Sequence, residues 1–232
     1  MSLLKLVQFE LKKLFRQKLA YIGLIIIILV SSLHFFLNYM NRPAEAYSGF
    51  AMIMDSLYVH NSFLFTLPVI AVLLAVFSLC EEFSTGTLRT LMTRPVKREN
   101  IVISKFLALF IYMALAFYVL MAISFLFGLR WGYSEDFASS VPRLLFIYFE
   151  YILGTMVLVA FTFIVAAFGL HPVSTALISL GFHKLSLLLE LFSPIQKYYY
   201  SYHITNLAQS LMASSLDYRQ IYQSLAIILI YI

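Results

Sequence analysis

Four ionisable side chains sit where an apolar chain has least use for them. Glu150, His183, Lys184 and Glu190 interrupt stretches that are otherwise dominated by Leu, Ile, Val, Phe and Tyr. Ionisable groups in hydrocarbon are costly, and they face a protein interior or a wet cavity. His183 and Glu190 are seven residues apart, which puts them on one face of a helix. Glu150 and Lys184, on adjacent antiparallel segments, carry the charges of an ion pair. Such a set can line a substrate path or its gate. It can equally lock two helices together or snorkel to the interface. A hydrolase built on His183 and Glu190 lacks a well-spaced nucleophile. There is no HExxH, no Cys/His set with metal spacing and no GxSxG. GxxxxGK[ST] is also missing, so this chain does not hydrolyse ATP through a P-loop.

Composition fixes the class of elements that position these residues. Of 232 residues, 62% are apolar and 12% charged, and the mean hydropathy is +0.90. Soluble domains are nearer 45–50% apolar and 25% charged. The chain therefore reads as all-α and polytopic, one transmembrane domain over 1–232. Spans are expected at 20–36, 63–79, 102–128, 144–170, 173–192 and 221–232. The fifth is the weakest, because a lysine near a span centre costs about 2.5–3.5 kcal/mol on an insertion scale. The sixth has about 12 residues where spanning takes about 20, which suggests a native chain continuing past Ile232. Before the first span, residues 2–18 read as a basic amphipathic helix in the membrane interface. Leu3, Leu4, Val7, Leu11, Leu14 and Phe15 share one face. Lys5, Lys12, Lys13 and Arg16 share the other, with Leu6 and Phe9 out of place. Cys80 is the single cysteine, so no internal disulfide exists.

Lysine and arginine counts orient the chain. Lys5, Lys12, Lys13, Arg16, Lys18, Arg89, Arg94, Lys97, Arg98 and Lys105 fall on one side; Arg42, Arg130, Arg143, Lys197 and Arg219 fall on the other. This places the N-terminus and the segment after the second span in the cytoplasm. The net charge of +5 thus reflects topology rather than nucleic-acid binding. The outer segments, about 37–62, 129–143 and 193–220, are too short for an external domain. Within the last, 204–216 has the makings of a short interfacial helix. His34 and His60 read as outer-interface residues, and His171 as part of an inner turn.

The one long polar segment between two apolar runs is 80–105, CEEFSTGTLRTLMTRPVKRENIVISK. Ser84 can cap a short helix that stops before Arg94, since a residue preceding proline avoids the α region. Leu88, Leu91 and Met92 then share a face, and Gly86 permits close backbone approach. A stub of this kind suits a groove on another protein. An ordinary positive-inside loop is the plainer reading.

The paired acids Glu81 and Glu82, then Gly86-Thr87-Leu88 with Arg89 and Leu91, then Arg94-Pro95 with Lys97-Arg98, resemble the first cytoplasmic loop of ABC-2-type permeases. That resemblance implies a coupling helix between the second and third spans, within 80–101, that docks on an ATPase. It implies an N-terminal elbow helix, with Lys12, Lys13 and Arg16 at the interface. It further implies an exporter in the inner (cytoplasmic) membrane, with two ATPase subunits that carry the ATP and Mg, and a second permease subunit, identical or related. No cofactor would be bound by this chain. Readings from other classes are a non-transporting scaffold that recruits a soluble partner, and an ion-coupled secondary transporter using Glu150, Lys184 and Glu190.

Overall fold

The computed structural model describes residues 3–41, 48–84, 98–133, 137–169, 171–189, 199–200, 202–204, 206–207 and 218–231. These residues form helices and turns, with no strand among them. The helices are α1 (Leu3–Arg16), α2 (Lys18–Asn41), α3 (Gly49–Tyr58), α4 (Thr66–Ser84), α5 (Arg98–Gly128), α6 (Phe137–Ala167), α7 (Pro172–Leu189) and α8 (Tyr218–Tyr231). A π-helical turn, Val59–Phe63, joins α3 towards α4.

Four helical stretches are long and apolar enough to cross a membrane: Lys18–Asn41, Glu99–Gly128, Val141–Ala167 and Pro172–Leu189. Gly49–Asn61 with Thr66–Leu79, bent by 44°, makes a fifth if the pair is one span. Ile221–Tyr231 is shorter. The described residues thus supply four or five candidate spans rather than the six expected. The second span also differs from its reading as 63–79. Its chain is already helical from Gly49, inside the stretch expected as an external loop.

Lipid tails are as apolar as leucine, so helix contacts here rest on packing and hydrogen bonds rather than on escape from water. α5 is the hub. It meets α1 near its start, α3 near its end, and α2 and α6 along its flanks. Its buried residues recur every three or four positions, from Ser104 and Lys105 through Ala108, Leu109, Tyr112, Met113, Ala116 and Phe117 to Leu120 and Ser124. Ile103, Leu107, Ile111 and Leu115 form an exposed stripe, as a lipid-facing side would. α6 packs on α4, α5 and α7, and α8 leans on α6.

Two glycines let α3 cross α5 with backbones touching. A Cβ on Gly49 would lie 2.7 Å from the Gly128 carbonyl oxygen, and one on Gly128 would lie 2.9 Å from that of Gly49. Ser48 caps α3 by accepting from the Ala51 N–H, and the Gly49 N–H donates to the Gly132 carbonyl. At this end of α5, Phe35 stacks on Phe127 at 4.5 Å and Arg130 lies over the Tyr39 ring. Aromatic and basic side chains cluster this way at a membrane boundary.

Candidate functional site

Two polar assemblies stand out from the apolar bundle. The first is the break between α3 and α4. A π turn widens the helix, and Phe65 then takes φ 51°, a left-handed conformation that costs a bulky residue of order 1–2 kcal/mol. Backbone interrupted at membrane depth is tolerated where it is buried in protein, and here neighbouring helices grip it. His60 is fully buried. Its Nε2 pairs with Ser31 Oγ of α2 at 2.9 Å, and its Nδ1 with Thr66 Oγ1 across the break at 2.6 Å. From α7, the His183 ring stands edge-on to Phe65 and the Lys184 ammonium covers the face of the same ring. His183 Nδ1 also meets Tyr200 Oη at 3.0 Å.

Behind the break is a cavity of about 20 Å³, lined among others by Asn61, Tyr151, Thr155, His183, Tyr200 and Ile204. That is room for roughly one water, with several hydroxyl, amide and imidazole groups to hold it. Gly154 opens α6 at this level, since a Cβ there would collide with the tip of Ile204. Glu150, one turn earlier on α6, is fully buried, and neither carboxyl oxygen has a hydrogen-bond partner.

The structure thus brings His183 and Lys184 together at the helix break and leaves Glu150 apart from them. The Glu150–Lys184 pair considered from sequence is not formed. Glu190 lies outside the described residues. His60, expected at an outer interface, is fully buried within the break. What hid it is its setting, VHNSF: four consecutive positions, His60 to Phe63, that alone give no helical pattern.

The second assembly is at the far end of α5. Lys105 Nζ lies 3.0 Å from Glu10 Oε2, and the two side chains are 0% and 8% exposed. Sequence reasoning counted Lys105 as one more positive charge at a loop and gave Glu10 no role. The signal was available: Glu10 is the lone acid in a helix with four basic residues, one turn from Leu6 and Leu14. The buried face of α1 is Leu6, Val7, Glu10 and Leu14. Leu6 therefore belongs to the apolar face, while Leu4 and Phe9 are exposed. Lys12 and Arg16 are exposed, and Lys13 is half-buried.

Around the pair, Glu10, Lys13, Gln17, Ser78 and Lys105 enclose a gap of about 10 Å³. α1 therefore packs on α5, near its start, and faces a gap that Ser78, near the end of α4, also lines. These two helix ends are the roots of the segment 85–97. Gly86, Thr87, Leu88, Arg89, Leu91 and Pro95 lie outside the described residues. Glu81 and Glu82 fall in the last turn of α4, and Arg98 opens α5. The break at Gln17 between α1 and α2 is tied to α5 as well, because Tyr112 Oη donates to the Ala20 carbonyl at 2.7 Å.

Among the described residues there is no group of three His, Cys, Asp or Glu placed to hold a metal ion. The arrangement offers hydrogen bonding, cation–π contact and a helix interruption.

No curated protein and no solved structure matches the chain. A family model described as ABC-2 family transporter protein matches residues 6–192. The match runs from within α1 through α7, taking in the Glu10–Lys105 pair, the helix break and the 80–105 segment, while Tyr200 and Ile204 lie beyond it. The chain belongs to the ABC-2 family of membrane transporter proteins.

Proposed function

We propose that this chain is the transmembrane permease subunit of an ATP-driven exporter whose ATPase is a separate polypeptide. ATP and Mg belong to that partner. Two ATPase copies dock beneath two permease subunits, the second being another copy of this chain or a related one. Docking uses the 80–101 region, through Glu81, Glu82, Gly86, Thr87, Leu88, Arg89, Leu91, Pro95 and Arg98. The N-terminus and this region lie in the cytoplasm, and the bundle sits in the inner membrane. α1 lies along the inner leaflet, with Lys12, Lys13 and Arg16 towards the lipid headgroups.

The observation that carries the reading is the placement of α1. An amphipathic helix that only floated in the interface would need no buried ion pair. This one is held by Glu10 and Lys105 to the start of α5, beside a gap that Ser78 of α4 also lines, where a force applied to the polar segment reaches it. The test is capture of the ATPase by tagged full-length chain. Arg89→Glu and Glu82→Gln each reduce the ATPase recovered several-fold without altering elution of the permease from size exclusion. Unchanged recovery with both variants removes these residues from the docking surface.

A further inference from the structure

We infer that the Glu10–Lys105 ion pair is the joint that makes α1 move as one body with the start of α5 when the docked ATPase displaces the 85–97 segment. Both residues are thus positioning residues for energy coupling. The inference rests on the permease reading above and gives it a named contact.

Stability alone does not account for the pair. Burying two charges is expensive, and apolar residues of similar volume in the same place are often as stabilising or more so. What an ion pair supplies that leucines do not is direction. Dispersion contacts are individually weak and non-directional, so an apolar helix face resting on other apolar side chains can roll or slide at small cost. A 3.0 Å contact between one ammonium and one carboxylate oxygen fixes both register and roll.

Its location is the second argument. Lys105 is two turns into α5, and Ser78 stands less than two turns before the end of α4. Both border the same small gap as Glu10. At about 10 Å³ that gap holds at most a single water, so little solvent can lubricate the contact. Two turns further along α5, Tyr112 grips the Ala20 carbonyl at the α1–α2 corner and meets the Phe15 ring at 6.0 Å. α1 and its corner with α2 are therefore tied to α5 at two points about 10 Å apart along its axis, given a rise of about 1.5 Å per residue, within a longer packed contact. Without the charged point, the tie at Tyr112 is left as the pivot.

The test uses full-length chain with its co-purified ATPase in nanodiscs of phosphatidylethanolamine and phosphatidylglycerol. Cys80 is replaced by Ser, and spin labels are placed at Gln8→Cys on α1 and Phe168→Cys just after α6, both exposed positions. The inter-label distance is read with and without ATP, Mg and vanadate. The original pairing shows a nucleotide-dependent shift. In Glu10→Met/Lys105→Met, which keeps volume without charge, the shift falls by at least half while ATPase recovery is unchanged. Glu10→Gln, which removes the counter-charge of Lys105 but keeps an acceptor, gives an intermediate shift. The swap Glu10→Lys/Lys105→Glu restores it. A full shift in the folded Glu10→Met/Lys105→Met variant overturns the joint. If the unmutated chain captures no ATPase, it is the permease reading that fails, and the joint with it.

Discussion

Lys105 and Glu10 are ninety-five residues apart in the chain and 3.0 Å apart in space. Neither belongs to a motif. Their meeting decides how the N-terminal helix relates to the rest of the bundle. It turns an amphipathic segment into a part packed on α5, close to where the polar 85–97 segment leaves and re-enters the helices.

The pair makes a sharp thermodynamic prediction. Breaking a buried pair by removing one partner costs about 3–5 kcal/mol, whereas replacing both with apolar residues is often neutral. Glu10→Met and Lys105→Met should each lower the unfolding midpoint in detergent clearly, and the double variant should recover most of the loss. Additive losses in the double variant would mean that the two charges are not coupled.

The glycine contacts separate two kinds of crowding. At Gly49 and Gly128 an added methyl meets the Tyr133 ring and also backbone, which cannot step aside. Gly49→Ala and Gly128→Ala should each cost about 1–3 kcal/mol, the usual range for overpacking. No second-site truncation should rescue Gly128→Ala fully. At Gly154 the obstacle is the end of the Ile204 side chain. Ile204→Ala should therefore recover much of the stability lost in Gly154→Ala. A cycle of unfolding free energies for these variants checks both statements.

At the helix break, His60 bridges Ser31 and Thr66. His60→Leu takes the imidazole partner from the Ser31 hydroxyl and leaves the Thr66 hydroxyl with the His60 carbonyl, and each lost bond is worth about 1 kcal/mol, with more for a group left unsatisfied. Ser31→Ala alone should cost less. The two substitutions together should cost less than their sum, because they remove the same bond. Thermal unfolding of the three variants is the measurement, and strict additivity would argue against the bridge.

Outside the spans, burial pushes the Tyr133 phenol up to about 12 from its ordinary value near 10. Its hydroxyl donates to the Phe125 carbonyl at 2.7 Å. Below pH 10 both folded and unfolded chains keep the proton, so this group adds no pH dependence. Between pH 10 and 12 the unfolded chain ionises first, and the folded state loses stability as pH rises. Tyr133→Phe should be less stable than the parent at pH 7 but should lose less on going from pH 10 to 12. Equal losses in parent and variant would contradict the shift.

Much of the layout was legible in the sequence. Runs expected at 102–128, 144–170 and 173–192 correspond to Arg98–Gly128, Phe137–Ala167 and Pro172–Leu189. Long apolar stretches announce themselves, and their ends blur where polar first turns such as Arg98-Glu99-Asn100 continue the helix. The faces were not legible. In a membrane bundle both lipid and protein sides are apolar, so hydropathy did not tell Leu6, which is buried, from Leu4 and Phe9, which are exposed. α3 and most of the π turn fall in the stretch 37–62 read as an external segment. The structure takes up His60 internally, through Ser31 and Thr66. Lys105 was counted in a charge tally but lies inside the bundle, and its partner comes from a helix read only for its basic side. The family was legible from 80–105 and is shown by a match that runs from 6 to 192.

The permease reading requires an ATPase that works through this chain. Affinity purification of the tagged full-length protein from its native host in mild detergent, with mass spectrometry of the bound fraction, tests this. A P-loop ATPase is expected at one copy per permease subunit. Reproducible recovery of the intact permease with no such ATPase would overturn that reading.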